Sequence, residues 1–187
     1  WNTVFASSQT AAAAAASSSS DQGSTITTTE AIGGGANLID EWLIPYTAFS
    51  AHWRETTTGK GVIPPSFLQV MNVGCGRSAL SAELYDDGFI NILSTDISDV
   101  IIEELKLKYS GSRPGMKWMV ANLFDMSNVM SSSMDVVIDK ATLDSVLFRH
   151  PTKVRPLLAT KAVKEIHRCL KPGGIYYVLS PRAKMFR

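Results

Sequence analysis

The stretch QVMNVGCGRSALSAEL, residues 69–84, passes from an apolar run into a helix-like pattern through Gly74 and Gly76. A chain that turns so tightly between strand and helix needs backbone conformations that glycine adopts without a side-chain clash. FLQVMNV (67–73) reads as the strand, and SALSAELYDDG (78–88) as the helix, with Ser78 as N-cap and Gly88 as stop. Asp96 closes the next β-rich run, INILSTD (90–96), 20 residues after Gly76. A carboxylate there is placed to accept both hydroxyls of a ribose.

The same alternation continues along the chain. SDVIIEELKLKY (98–109) carries Ile101, Leu105 and Tyr109 on one helical stripe, and MKWMVANL (116–123) and MDVVID (134–139) read as further strands. Pro156 suits a first helical turn, after which Leu158, Ala162, Ile166 and Leu170 recur every four residues. The PGG at 172–174 ends that helix, and IYYVLS (175–180) is a fifth strand. Such a βαβαβ series predicts a parallel sheet covered by helices, with its ligand beyond the carboxyl ends of the strands. The glycine turn and Asp96 alone leave three readings open. These are a dinucleotide, through the loose match of GCGRSA to G-x-G-x-x-G/A, S-adenosylmethionine, and a plain turn backed by an acidic helix cap.

With 187 residues and 45% hydrophobic content, the chain supports a single core, and no apolar run approaches the length of a membrane span. Cys75 and Cys169 lie in structured segments, which suits a reducing compartment such as the cytoplasm. His52, His150 and His167 have no metal-ligand spacing. Residues 1–36, rich in Ala, Ser, Thr and Gly, read as a disordered low-complexity tail before a domain over 37–187. Charge is uneven: residues 149–187 hold ten Lys or Arg against one acid, Glu165. That end suits an acidic partner or RNA, and the simpler reading is a solvated helix face with counter-charges elsewhere.

Later motifs separate the ligand classes. GCGRSALSAELYDDGF (74–89), DISDVIIEELKLKY (96–109), DVVIDKATLD (135–144) and EIHRCLKPGGIYYVLSPRAKMFR (165–187) follow in order. In these the chain resembles the class I S-adenosylmethionine-dependent methyltransferases, and within them the eukaryotic elongation-factor-1-alpha lysine methyltransferases. The resemblance implies an α/β, Rossmann-like fold: a mostly parallel sheet with helices on both faces. It also implies a helix and strand pair after the fifth strand. This sequence lacks them, so IYYVLS is expected to have an open edge in a shortened domain.

By resemblance, S-adenosylmethionine is the cofactor, held by Gly74, Cys75 and Gly76, with Asp96 on the ribose, Ile97 on the adenine, and Asn122 and Leu123 beside it. The Cys75 side chain itself is expected to pack. Asp139 is expected near the cofactor's amino group and the incoming nucleophile, and Asp139 and Asp144 are the candidate catalytic residues. The reaction implied is in-line methyl transfer to a protein lysine, with a translation elongation factor as candidate substrate, by a monomer that engages neither membrane nor nucleic acid. The rivals are a non-catalytic binding module, an NAD-dependent oxidoreductase and a nucleic-acid methyltransferase using the basic end.

Three positions depart from the family pattern: Arg77 in place of Asn, Ala141 in place of Gly, and an N-terminal aromatic segment (37–55) whose only arginine is Arg54. Trp53 in that segment matches a family tryptophan.

Overall fold

Short apolar runs, almost continuously buried in the central strands, build one sheet in the computed structural model, which describes residues 2–6, as backbone, and 43–181. The strands are β1 (Asn2–Ala6), β2 (Gln69–Val73), β3 (Asn91–Asp96), β4 (Met116–Val120), β5 (Met134–Lys140) and β6 (Leu170–Leu179). The helices are α1 (Ser50–Thr57), α2 (Leu80–Asp86), α3 (Asp99–Tyr109), α4 (Thr142–Phe148) and α5 (Arg155–Cys169). The sheet order is β1-β6-β5-β2-β3-β4, and every neighbouring pair is parallel. The chain steps outward from β2 to β4, then crosses back to lay β5 on the other side of β2. Between β2 and β5 the direction of winding reverses, so the loops at their carboxyl ends part and leave a crevice.

A parallel sheet must be covered on both faces, and residue parity decides which side chain goes where. Val70, Val136, Ile138, Tyr177 and Leu179 pack with Trp53 of α1, Leu80 and Leu84 of α2, and Ile102 and Leu105 of α3. Their strand neighbours Met71, Val73, Val137, Tyr176 and Val178 face the opposite way, onto Ile166 and Cys169 of α5 and onto Met126 and Val129. A buried polar chain fixes α2 to the sheet: Asn72 Nδ2 donates to Ser81 Oγ at 2.8 Å, and Ser81 and Ser94 share a 2.8 Å hydroxyl hydrogen bond.

The aromatic segment closes the first face. Trp53 is fully buried, with ring centroids 5.3 Å from Phe89 and 5.1 Å from Tyr177. His52 Nδ1 hydrogen-bonds the Tyr177 hydroxyl at 2.7 Å.

Several expectations change. Asn2–Ala6 falls in the segment read as a disordered tail, yet it runs as a strand along β6, pairing Asn2 with Ile175 through Ala6 with Leu179. The outer edge of β6 is therefore covered rather than open. NTVFA is rich in β-formers, and a parallel partner satisfies the edge's exposed N–H and C=O groups. The rest of that tail, and residues 37–42 of the aromatic segment, lie outside the described residues. Ser78 is not the N-cap of α2; Ala79 is, although Ser78 Oγ accepts the Leu80 N–H at 3.1 Å. PGG does not end α5, which stops at Cys169; it sits inside β6 where the register with β5 shifts, with Gly173 at φ +81.

Truncating Trp53 removes the side chain around which α1, Phe89 and Tyr177 meet. Trp53→Ala is expected to lower the unfolding free energy by about 3–5 kcal/mol, read from urea denaturation, with Trp53→Phe losing much less.

Candidate functional site

The crevice holds a cavity of about 570 Å³, the size of a small-molecule site. Its wall is assembled from strand ends: Val73 and the glycine turn after β2, Thr95, Asp96 and Ile97 after β3, Ala121–Phe124 after β4, and Lys140–Thr142 after β5. Ser145, Val146, Arg149 and His150 complete it from α4 and the turn beyond. A second cavity shares Gly74, Gly76, Lys140 and Arg149, and extends past Cys75, Arg77 and Ser78.

Both glycines of the turn adopt positive φ, +58 at Gly74 and +51 at Gly76, but for different neighbours. A Cβ on Gly74 would fall inside the Thr142 side chain, whose hydroxyl donates to the Val73 carbonyl at 2.8 Å. A Cβ on Gly76 would meet no atom within 4 Å, so the space above it is free for a ligand. Gly74 serves packing, and Gly76 serves access.

Asp96 ties this turn to β3. One carboxylate oxygen accepts the Gly76 N–H at 2.9 Å, and the other accepts the Ser98 N–H at 3.0 Å. The cap of α3 is Ser98, whose Oγ accepts the Ile101 N–H at 3.3 Å, so Asp96 is not a helix cap. Each oxygen thus accepts a backbone N–H, and the residue lines the cavity. Ile97 beside it is 71% exposed, an apolar side chain left uncovered at the cavity wall. Asn122 uses Oδ1 to accept the Phe124 N–H at 3.0 Å, which leaves its Nδ2 group for another partner. Leu123 lines the wall next to it. Cys75 is buried, and burial with the nearby Asp96 charge pushes its thiol up to about 12, so it packs and does not react.

Asp139 is placed differently from expectation. It is fully buried and outside the cavity wall. It accepts the Tyr176 hydroxyl at 2.8 Å and the Thr142 N–H at 2.7 Å, with Leu143 N–H at 3.3 Å. Parity on β5 explains this: Asp139 points to the same side as Val137, towards Tyr176 on β6. Asp144, on the first turn of α4, is half-buried and also outside the wall. Neither carboxylate faces the cavity, and Asp96 is the acid that does.

Sequence reading set Lys140 at the carboxyl edge of the sheet without giving it a role, and it missed Arg149 and His150. The signal was the short helix after β5: α4 ends at Phe148, which returns the chain to the strand ends at residues 149 and 150. The departures noted above also acquire positions. Arg77 turns to Glu104, 3.1 Å away, which neutralises the charge it would bring to the turn. Arg54 pairs with Asp87 at 2.7 Å, on the aromatic face. Ala141 sits at φ +61, a left-handed conformation that strains any residue with a Cβ by about 1–2 kcal/mol. That is why glycine suits the joint between β5 and α4.

The Methyltransferase domain family matches residues 71–178, which contain the cavity's strands and turns. The chain belongs to that family. Its methyl donor is S-adenosylmethionine, and the nicotinamide reading is set aside. Among relatives, the chain is 37% identical over 112 residues to the eEF1A lysine and N-terminal methyltransferase of Bos taurus, covering 60% of this chain and 16% of the relative. It is 31% identical over 124 residues to EEF1A lysine methyltransferase 4 of Mus musculus, covering 64% of this chain and 48% of the relative. The chain thus spans less than half the length of either protein.

In fold it is similar to the methyltransferase CalH in complex with SAH, with TM-score 0.50, 17% identity and coverage of 66% and 35%. It is also similar to the [4+2]-cyclase SpnF, with TM-score 0.51, 18% identity and coverage of 68% and 43%. Since SpnF is a cyclase, fold alone does not assign an activity, and the wall residues must.

The donor set fits the methyl donor. An uncovered apolar side chain, a carboxylate at the end of β3, an amide group and the open Gly76 line one cavity with exposed Arg149, which has no ion-pair partner among the described residues.

Burial raises the Asp139 carboxyl to about 6, against the hydrogen bonds from Tyr176, Thr142 and Leu143 that pull it down. The unfolded carboxyl titrates near 3.9, so the folded chain holds the proton more tightly, and stability falls as pH rises from about 4 to about 6. Asp139→Asn is expected to flatten this slope. Urea unfolding across that window should show the wild type losing stability relative to the variant.

Proposed function

We propose that this chain methylates the side-chain amine of a lysine on a protein, with S-adenosylmethionine as donor. One observation carries the reading. The wall of one cavity brings together an apolar side chain, Ile97, a strand-end carboxylate, Asp96, the open Gly76, and Arg149, which has no ion-pair partner among the described residues. Those are the needs of a ligand that is a nucleoside at one end and an amino acid at the other. The names of the relatives, eEF1A lysine methyltransferases, supply the acceptor class.

Bound there, S-adenosylmethionine supplies a methyl group already activated by its sulfonium. The residues of the chain do the rest. Asp96 accepts the ribose hydroxyls, its two oxygens held in place by the Gly76 and Ser98 N–H groups. Ile97 and Leu123 hold the adenine against apolar surface, and Asn122 Nδ2 meets its edge. Arg149 takes the carboxylate of the amino-acid end, the task for which Arg54 is unavailable while it pairs with Asp87.

With Asp96 on the ribose, no second carboxylate of the described wall is left to act as a base. The incoming amine gives its proton to water before it is enclosed, and desolvation keeps it neutral. The work of the site is alignment and exclusion of water, which is where most of the rate of such a transfer arises.

Calorimetric titration with S-adenosylhomocysteine and with 5′-methylthioadenosine, which lacks the amino-acid end, separates these roles. Arg149→Ala should weaken S-adenosylhomocysteine by about tenfold or more and leave methylthioadenosine unchanged. Asp96→Ala should weaken both. Equal losses of both ligands in Arg149→Ala overturn the arginine's role, and a folded wild-type chain that binds neither ligand overturns the reading. Tritium transfer from the labelled donor to eEF1A lysines tests the acceptor; binding without transfer to protein marks a non-catalytic module instead.

A further inference from the structure

Across most of the described surface, cations are matched by carboxylates. Arg54 pairs with Asp87, Lys60 with Glu55, Arg77 with Glu104, Arg113 with Asp86, Arg168 with Glu165 and Lys171 with Asp135. The counter-charges expected for the basic end of the chain thus exist for Arg168 and Lys171. They do not exist for the stretch before them. From Ser145 to Lys164 there is no Asp or Glu, while Arg149, Lys153, Arg155, Lys161 and Lys164 are present. None of these has an ion-pair partner among the described residues.

The same stretch exposes apolar surface. Phe148 is 61% exposed, Val154 39% and Leu157 68%. Leu157, Lys161 and Lys164 recur at helical spacing on the outer stripe of α5, opposite buried Ala162, Ile166 and Cys169. Arg155 lies over the Phe148 ring, 5.8 Å from its centroid, and donates to the His150 carbonyl at 2.9 Å. This fixes the turn between α4 and α5 against the cavity mouth, because His150 and Arg149 line the cavity itself.

We infer that this strip, from Phe148 across Lys153 to Lys164, is a docking surface for an acidic segment of the methyl-accepting protein that carries apolar residues among its acids. The inference rests on the methyl-transfer reading above, and it adds the chemistry of the partner. Charge alone would suit RNA equally. Two features favour a polypeptide: the exposed apolar groups Val154 and Leu157 offer nothing for a base to stack on, and Arg155 occupies one face of Phe148, the aromatic ring of the strip. An acidic segment seated here places the rest of its chain at the cavity mouth, so a lysine close to it in space is raised in effective concentration.

The test uses the full chain and a fluorescent peptide in which Asp and Glu alternate with Leu and Phe, followed by fluorescence anisotropy at low and at raised salt. A scrambled Lys-rich peptide and poly-uridine RNA serve as comparison probes. The triple variant Lys153→Glu, Lys161→Glu, Lys164→Glu leaves the proposed cofactor residues intact, and its S-adenosylhomocysteine affinity reports that it is folded. The expected result is acidic-peptide binding that falls steeply with salt and drops by about tenfold or more in the variant, with S-adenosylhomocysteine binding unchanged.

Acidic-peptide binding equal in both chains, or none in either, overturns the docking surface and leaves a solvated face. RNA binding that outcompetes the peptide and is lost in the variant overturns the choice of partner. Failure of the wild type to bind S-adenosylhomocysteine while the peptide still binds breaks the methyl-transfer reading but not the surface.

Discussion

A single buried carboxylate holds the site in shape. Asp139 has no contact with solvent, so its charge must be met inside the protein, and it is met by the Tyr176 hydroxyl and the first N–H groups of α4. Those donors come from the neighbouring strand and from the helix that borders the cavity. Thr142, fixed by its N–H, sends its hydroxyl across to the carbonyl of Val73 and occupies the space that Gly74 leaves. Strand β6, helix α4 and the glycine turn are therefore referred to one another through two residues, Asp139 behind the cavity wall and Thr142 within it. Displacing Asp139 would move Arg149, at the far end of α4, and Gly76, past the turn, together.

Much of this was legible in the sequence, because backbone geometry restricts residue choice. A turn that needs positive φ at Gly74 and Gly76 announces itself as glycine, and β3 had to end in Asp96 for its oxygens to reach that turn. The apolar runs of β2, β5 and β6 also announced strands covered on both faces, as the two cores bear out. The role of Asp139 was not legible in the same way. A carboxylate at the end of a strand reads as facing the crevice, and only its register beside the β6 tyrosines shows that it faces inward. The first of the paired tyrosines in IYYVLS was the available clue, since a buried acid and a buried hydroxyl satisfy each other. Arg149 was hidden for another reason. Its place depends on the length of α4, and DKATLD signals where that helix starts without showing where it stops.

Electrostatics divide the molecule into two kinds of surface. On most of it the long side chains are held in ion pairs, which contribute little each but leave no net field. Beside the crevice the balance lapses over one helix and its preceding turn, and the field of those unmatched cations reaches outward about a Debye length. The asymmetry seen as a compositional excess near the end of the chain thus becomes a local property of one rim.

The pairing of β1 with β6 bears on how the chain reaches this state. Asn2 meets Ile175, so the two strands that share this edge are drawn from nearly opposite ends of the sequence. Closing so long a loop carries a large entropic penalty that is recovered only when the ladder forms, which makes it a late event in folding. During synthesis β1 emerges before β6 and has to wait for it. Until then it is an apolar, β-prone segment in search of a partner, at the moment when a neighbouring nascent chain offers the same edge. The order of emergence, rather than the final stability, sets the hazard of exchange between copies.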